Sequence, residues 1–108
     1  MNVEVNDHSF KEEITNCATP VIVNFWAPWC EACYMITPIW EEIAVEYRNI
    51  IKIVKINTDE NPTVATEYNI RTIPTAIIFS KGKLVDKIIG AVPKSTIVLK
   101  FKNLLKIN

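Results

Sequence analysis

The sequence predicts an α/β fold in which a central mixed sheet forms a single domain. Its 108 residues suffice for one compact domain and are too few for two. Short apolar runs rich in β-branched residues alternate with stretches of helical periodicity, which indicates βαβ units and a parallel core sheet. Two further strand-like runs flank Lys81-Gly82-Lys83, a turn typical of an antiparallel hairpin. The predicted order is therefore β-α-β-α-β-α-β-β-α, which gives five strands and four helices.

Each element has a local signal in the sequence. Ser9 and Glu12 have the spacing of a capping box that begins the first helix. In the second helix Met35, Ile39, Ile43 and Tyr47 recur every four residues, which predicts one apolar face towards the core. The predicted bounds are strands over 21–26, 50–56, 75–80 and 84–89, and later helices over 30–47, 59–68 and 95–107.

Charge and composition exclude several classes of partner. The 12 Lys and Arg residues balance the 12 Asp and Glu residues, and no run of like charge occurs. This balance argues against nucleic acid and against a membrane surface as the main partner. No apolar run approaches the roughly 18 residues that a membrane span needs, and the N-terminal residues lack the segments of a secretory signal. We expect a monomer.

Two of the three cysteines, Cys30 and Cys33, lie where a strand pattern gives way to a helix pattern. Cysteines three apart can form a disulfide within one helical turn and open it again, which predicts a redox pair in a reducing compartment. A zinc site is the alternative. Zinc needs about four ligands, and only Cys17 and His8 remain as soft candidates. We therefore favour redox chemistry and expect no metal.

A longer set of residues surrounds this pair. Its members are 25–30 (Phe-Trp-Ala-Pro-Trp-Cys), Cys33, Pro38, 55–57 (Lys-Ile-Asn), 68–75 (Tyr-Asn-Ile-Arg-Thr-Ile-Pro-Thr) and 89–93 (Ile-Gly-Ala-Val-Pro). With these residues in this order, the chain resembles thioredoxins over essentially its whole length. Val85-Asp86 and 92–95 (Val-Pro-Lys-Ser) most resemble the bacterial and plastid branch. The resemblance implies a thioredoxin fold over 1–108, with a mixed five-stranded sheet flanked by four helices.

The resemblance also implies an activity, the reduction of disulfides in other proteins. Cys30 would be the exposed nucleophile at a helix N-terminus, and Cys33 the more buried thiol that resolves the mixed disulfide. No cofactor is expected besides the redox-active disulfide. Electrons would come from a ferredoxin- or NADPH-dependent thioredoxin reductase and pass to disulfide-containing target proteins, in a plastid stroma or a bacterial cytoplasm. Two alternatives stay open: a less reducing oxidase or isomerase variant, and a binding scaffold.

The resemblance further implies a docking surface for the target protein. The bond between Ile73 and Pro74 would be cis and face the dithiol, so that the Ile73 backbone could pair with an extended target segment. Trp29, Gly90 and Ala91 would complete a shallow apolar patch around the reactive thiol.

Asn24 departs from the family pattern, because thioredoxins usually carry a buried Asp at this position. An Asp could accept the Cys33 proton, whereas Asn cannot titrate, so we expect the resolving step to lose a general base. Lys55, the usual neighbour of that acid, would lose its charge partner and either point to solvent or act on the thiolate. The alternative interpretation is that Asn24 only fills a buried hydrogen-bonding position, with a side-chain volume similar to that of Asp.

A second departure lies between the cysteines, where Glu31-Ala32 replaces the usual Gly-Pro. Without proline, position 32 has an N–H that could donate to the Cys30 sulfur and stabilise its thiolate. The Glu31 carboxylate would disfavour the thiolate, although solvent screens an exposed charge. We expect the backbone effect to be the larger, and the couple to be less reducing as a result.

Overall fold

The computed structural model describes residues 3–105 and confirms the predicted order of strands and helices. The predicted end of the last helix at Ile107 lies outside the described residues. The strands are β1 (Val3–Val5), β2 (Val21–Trp26), β3 (Lys52–Asn57), β4 (Thr75–Ser80) and β5 (Lys83–Ile89). The helices are α1 (Phe10–Thr15), α2 (Glu31–Glu46), α3 (Pro62–Glu67) and α4 (Lys94–Leu105).

The five strands form one mixed sheet in the order β1-β3-β2-β4-β5. β1, β3 and β2 are parallel, whereas β4 is antiparallel to β2 and β5 is antiparallel to β4. The end of β2 therefore lies beside the end of β3 and the beginning of β4, because Phe25 pairs with both Ile56 and Thr75. The loop that follows β2 and the loop that precedes β4 meet at this edge of the sheet.

The sheet has a hydrophobic cluster on each face, which explains why its central strands are continuous apolar runs rather than alternating ones. Ile22 and Ile78 face the helices α2 and α4, where they pack with Ile43 and Phe101. The opposite face packs against α1 and α3 through a second cluster of buried residues, namely Val5, Phe10, Ile14, Val21, Val23, Phe25, Val54, Ile56, Val64, Ile77 and Phe79. None of the helices described within residues 3–105 is both long enough and apolar enough to cross a membrane.

The predicted inward face of α2 is partly wrong. Met35 is 72% exposed, whereas Ile36 and Trp40 are buried together with Ile43. A residue four positions on is rotated by about 40° from perfect alignment, because an α-helix has 3.6 residues per turn. A series at spacing four therefore drifts off one face within a few steps, and the buried stripe instead follows the spacing of three and four.

The predicted capping box at the start of α1 is also wrong. Ser9 occupies the N-cap position with helical backbone angles, and its side chain makes no capping hydrogen bond to the helix. The Asn6 side-chain oxygen instead accepts hydrogen bonds from the backbone N–H groups of His8 and Ser9 at 2.9 Å, and the Ser9 hydroxyl accepts from the Asn6 N–H at 3.1 Å. A local turn around Asn6 thus occupies the groups that a capping box would use.

Candidate active site

Cys30 and Cys33 are joined by a disulfide at the N-terminus of α2, with their Cα atoms 5.3 Å apart. Cys30 is the N-cap residue, and its sulfur accepts a hydrogen bond from the backbone N–H of Cys33 at 3.1 Å. The expected donor was the N–H of Ala32, and this expectation is wrong. The side chain of an N-cap residue reaches the N–H groups two or three positions on, and here it bonds the third. The helix N-terminus thus supplies a donor to the sulfur of Cys30.

The predicted exposure of Cys30 is wrong for the disulfide state. Cys30 is 4% exposed and Cys33 is 7% exposed, so both cysteines are buried, and the prediction that Cys33 is the more buried of the two is also wrong. In the disulfide each sulfur covers part of the other, which removes surface that a free Cys30 thiol would present to solvent. The neighbouring residues on the same loop and helix turn remain open, since Trp29 is 69% exposed and Glu31 is also exposed.

A cavity of about 140 Å³ lies behind the disulfide. A buried water needs roughly 10–15 Å³ by this measure, so the cavity has room for several water molecules. Among the described residues that line it, Lys55 alone carries a charge at neutral pH. The lining residues are Asn24, Phe25, Trp26, Cys33, Tyr34, Ile36, Thr37, Trp40, Lys55 and Pro74.

Asn24 and Lys55 lie side by side on β2 and β3 and both line this cavity with Cys33. Asn24 is half-buried. Its side-chain amide is not seen to hydrogen-bond with any residue in the described part of the chain, which does not favour the reading that it fills a buried hydrogen-bonding position. The cavity wall next to Cys33 therefore carries a neutral amide at position 24.

Lys55 does have a charge partner, contrary to the expectation that it loses one. Its Nζ lies 3.8 Å from Oε1 of Glu4 and 5.0 Å from the centre of the Trp26 ring. Trp26 in turn donates a hydrogen bond from Nε1 to Oε2 of Glu4 at 3.2 Å. Glu4 lies on β1, directly opposite Lys55 in the parallel pairing with β3. Sequence reasoning missed Glu4 because it gave the first strand no bounds.

Trp29 is held in place on the exposed side of the disulfide. Its indole Nε1 donates a hydrogen bond to Oδ1 of Asp59 at 3.2 Å. Asp59 follows β3, and its own backbone N–H is bound by the side chain of Asn57 at 2.9 Å. Sequence reasoning missed Asp59 as well, although the position of an acid just after a parallel strand beside the dithiol is a signal that could have found it.

The loop before β4 and the loop after β5 meet beside this site. The Ile73–Pro74 peptide bond is cis, as the family resemblance implies, and the carbonyl of Pro74 accepts a hydrogen bond from the N–H of Gly90 at 2.8 Å. Gly90 has φ of 91°, a conformation that L side chains rarely adopt. Ala91 is exposed and Ile73 is half-buried, so apolar groups from both loops reach the surface.

The remaining candidate ligands do not gather around the disulfide. His8 is exposed at the start of α1, and Cys17 is half-buried with its sulfur 3.4 Å from the hydroxyl of Thr19. Within the described residues, no group of three or more His, Cys, Asp and Glu side chains is placed to hold a metal ion.

Known proteins resemble this chain along most of its length. The family model described as Thioredoxin matches residues 1–103. A thioredoxin of Pyropia yezoensis is 60% identical over 94 residues, which is 87% of this chain and 88% of the relative. Thioredoxin 1 of a Nostoc strain is 53% identical over 94 residues and has the same coverage. The M-type chloroplast thioredoxin of Chlamydomonas reinhardtii is 55% identical over 87% of this chain and 67% of its own length.

The disulfide and these comparisons agree on the chemistry. A cysteine pair at the N-terminus of a helix, joined as a disulfide in a fold with this sheet order, is a reversible redox centre. The protein is a thiol-disulfide oxidoreductase that reduces protein disulfides, and the alternatives of a less reducing variant or a binding scaffold are not favoured. The chain belongs to the thioredoxin family.

Proposed function

We propose that Cys30 is the attacking thiol of this reductase and Cys33 the resolving thiol. The observation that carries the assignment is the hydrogen bond from the Cys33 N–H to the Cys30 sulfur at the N-cap of α2. Free N–H groups and the positive end of the helix dipole stabilise a thiolate at this position. Cys33 lies one turn further along the helix and lines the cavity behind the disulfide, which suits a thiol that attacks from within.

Reduction of a target protein then takes two exchanges. The Cys30 thiolate attacks one sulfur of the target disulfide, a Cys30–target bond forms, and the other target sulfur leaves as a thiolate. The Cys33 thiol gives its proton to solvent and attacks Cys30, which re-forms the Cys30–Cys33 disulfide and releases the second target thiolate. The target gains two electrons and two protons, and the protein must be reduced again by a separate donor.

The target segment docks, in this proposal, on the apolar surface around Cys30. Trp29 is the largest exposed apolar side chain beside the disulfide, and Asp59 holds its indole in one orientation. The remaining contributors lie on the two loops that meet at the Pro74–Gly90 hydrogen bond, namely Ile73, Pro74, Gly90 and Ala91. An exposed apolar surface beside a reactive thiol is a docking surface for another protein.

Three departures from the family pattern tune this chemistry. Asn24 leaves the cavity without a titratable carboxylate, which slows proton loss from Cys33. Glu31 is exposed beside Cys30, so solvent screens its unfavourable charge. Ala32 frees the backbone at the second position of α2, and its effect on the Cys30 sulfur is indirect, because the bond to that sulfur comes from Cys33.

The partners follow from the same chemistry. A thioredoxin reductase, either ferredoxin- or NADPH-dependent, supplies electrons, and disulfide-containing proteins receive them. The protein works as a monomer and a single domain over 1–108, with no cofactor besides its own disulfide. The relatives come from red algae, cyanobacteria and chloroplasts, which supports the bacterial and plastid branch and a plastid stroma or bacterial cytoplasm as the compartment.

A trapping experiment tests the roles of the two cysteines. After incubation with a disulfide-containing protein such as insulin, the Cys33→Ser variant should accumulate a mixed disulfide on Cys30. The Cys30→Ser variant should not, and the reverse pattern would overturn the assignment. The reduction potential of the wild-type pair gives a second test. A value near about −270 mV would place the couple with the reductases, whereas about −200 mV or higher would indicate an isomerase-like couple.

A further inference from the structure

The cavity behind the disulfide poses a specific problem for the resolving step. Cys33 must lose a proton before it can attack Cys30, and thiolate formation in a half-closed cavity needs a compensating positive charge or a base. Asn24 can supply neither. Among the described residues that line the cavity, Lys55 is the one that carries a charge.

Lys55 is useful to Cys33 only while its ammonium group stays near the cavity. A lysine side chain has four carbon atoms and free rotors, and its strongly hydrated ammonium tends to extend into water. Lys55 is 37% exposed at its side chain, so solvent is within its reach. Something must therefore hold the ammonium against the cavity wall.

Glu4 makes two contacts that together hold the Lys55 ammonium near the cavity. Its Oε1 lies 3.8 Å from the Lys55 Nζ, and its Oε2 accepts the indole hydrogen bond of Trp26 at 3.2 Å. The indole is thereby fixed with its ring 5.0 Å from the same Nζ, a distance at which a cation is attracted to the face of an aromatic ring. Trp26 also lines the cavity, so Lys55 and Trp26 belong to one wall, and Glu4, which does not itself line the cavity, contacts both of them.

We propose that Glu4 is a positioning residue for disulfide reduction, which holds the Lys55 ammonium against Trp26 at the cavity wall and thereby favours the Cys33 thiolate in the resolving step. This inference rests on the proposed role of Cys33. The proton of Cys33 passes to solvent, Lys55 keeps its own protons throughout, and the electron pair of the Cys33 thiolate forms the new bond to Cys30 while the target thiolate leaves.

Other charged and titratable groups near Cys33 lie on the elements around it. On its own helix these are Glu31, which is exposed, and Tyr34, whose ring meets Trp26 edge-on at 6.3 Å. Asp59, on the loop after β3, is bound to Trp29 on the outer side of the disulfide. Neither carboxylate lines the cavity.

The test measures how readily Cys33 forms its thiolate, without requiring turnover. In the reduced Cys30→Ser protein, Cys33 is the remaining thiol of the pair. Its rate of alkylation by iodoacetamide is followed from pH 5 to pH 10 by mass analysis of the peptide that contains it, which separates it from Cys17. The pH midpoint is compared among four versions of this protein: unaltered at Glu4 and Lys55, Glu4→Gln, Lys55→Met, and both together.

We expect Lys55→Met to raise the midpoint by about one pH unit and Glu4→Gln by about half a unit, which is roughly threefold less thiolate below the midpoint. Adding Glu4→Gln to Lys55→Met should raise it no further, because Glu4 acts through Lys55. A midpoint that falls or does not move in Glu4→Gln would overturn the proposal. The same rise with and without Lys55 would also overturn it.

A matched control comes from the ion pair of Glu13 with Lys52, which also joins β3 to the N-terminal region but does not line the cavity. Glu13→Gln should leave the midpoint unchanged, and an equal rise there would show a general loss of packing and defeat the inference. A purely structural role for Glu4 would lower the melting temperature without moving the midpoint. The proposed function fails separately, if the Cys33→Ser protein accumulates no mixed disulfide on Cys30.

Discussion

The indole of Trp29 and the carboxylate of Asp59 are joined by a 3.2 Å hydrogen bond across the outer side of the disulfide. Trp29 is 69% exposed, so without this bond few contacts would restrict its rotamers. The bond therefore orders in advance a side chain that belongs to the proposed docking surface, and that a target protein bound there would otherwise have to immobilise.

Loss of the Asp59 carboxylate should weaken target binding more than it slows the chemistry. Ordering one rotamer-rich side chain on binding costs about 0.5–1.5 kcal/mol, so we expect Asp59→Ala to raise KM for a protein disulfide by roughly 2- to 10-fold with little change in kcat. Glu60→Ala is the matched control, since Glu60 is an adjacent exposed acid without the Trp29 contact. Steady-state kinetics in which kcat falls and KM stays constant would contradict this reading.

Restoring a carboxylate at position 24 should speed reduction near neutral pH. Asn24 lies next to Lys55 and lines the same cavity as Cys33, so an Asp there could accept the Cys33 proton. General-base catalysis is worth about 100-fold or more where proton transfer limits the rate, and a smaller gain is expected if docking limits it. Insulin reduction by the Asn24→Asp and Asn24→Ala variants measures the effect. Equal rates for Asn24→Asp and wild type would show that the neutral amide at position 24 does not slow disulfide reduction.

A third prediction concerns the start of α3, which is capped by a residue far away in sequence. The carboxylate of Asp7 accepts hydrogen bonds from the backbone N–H groups of Val64 at 3.0 Å and Thr63 at 3.3 Å. Removal of an N-cap acceptor typically costs about 1 kcal/mol, so Asp7→Ala should lower the free energy of unfolding by about that amount. Urea denaturation measures this loss.

Two further variants make the capping test sharper. Asp7→Asn keeps one acceptor oxygen and should cost less than Asp7→Ala. Glu12→Ala should change stability by less than about 0.5 kcal/mol, because Ser9 and Glu12 do not form the capping box that their spacing predicts. A larger loss in Glu12→Ala than in Asp7→Ala would refute both assignments.

Alkaline stability provides a fourth prediction. Burial raises the pKa of Tyr68 above its usual value of 10.0, and the nearby Glu67 carboxylate raises this pKa further. The unfolded chain therefore releases the phenol proton at lower pH than the folded chain. The stabilising contribution of the neutral phenol is complete below about pH 10 and is lost as the pH rises towards the pKa of the folded state.

The Tyr68→Phe variant should escape this part of the alkaline loss. Its ring can keep the packing of Tyr68 against Phe10 and Phe79, whose centres lie 5.6 and 5.4 Å away. Urea midpoints at pH 8 and pH 11 should therefore differ less in Tyr68→Phe than in wild type. Hydrogen bonds to Glu42 and Glu46 also raise the pKa of Lys94, and this source of alkaline loss is common to both proteins. Identical losses in the two proteins would contradict the prediction.

Strands were the part of the fold most accurately predicted from sequence. The predicted bounds of 21–26 and 75–80 coincide with β2 and β4, because both are continuous apolar runs that residues typical of turns interrupt sharply. Helix faces were predicted less well, since a few apolar residues at spacing four suit two neighbouring faces. Met35 and Trp40 illustrate the ambiguity: one is 72% exposed and the other 4%.

The active site was also predicted only in part from the sequence. The cysteine pair and the cis bond before Pro74 follow from local sequence and family resemblance. Glu4 and Asp59 do not, because their roles depend on side chains that are 22 and 30 residues away, at Trp26 and Trp29 respectively. Only the register of β1 against β3 and the course of the loop after β3 bring these groups together.

The parallel pairing of β1 with β3 has a consequence for synthesis of the chain on the ribosome. β1 is synthesised before the other described strands, and its partner strand, Lys52–Asn57, is made about fifty residues later. The helix that Asp7 caps follows later still. Until β3 is made, β1 has no sheet edge to pair with. Its apolar Val5, which is buried in the folded protein, is then exposed to contacts with other nascent chains or chaperones. Among the described strands, the edge strand that carries Glu4 is therefore translated first, and it cannot pair until β3 has been made.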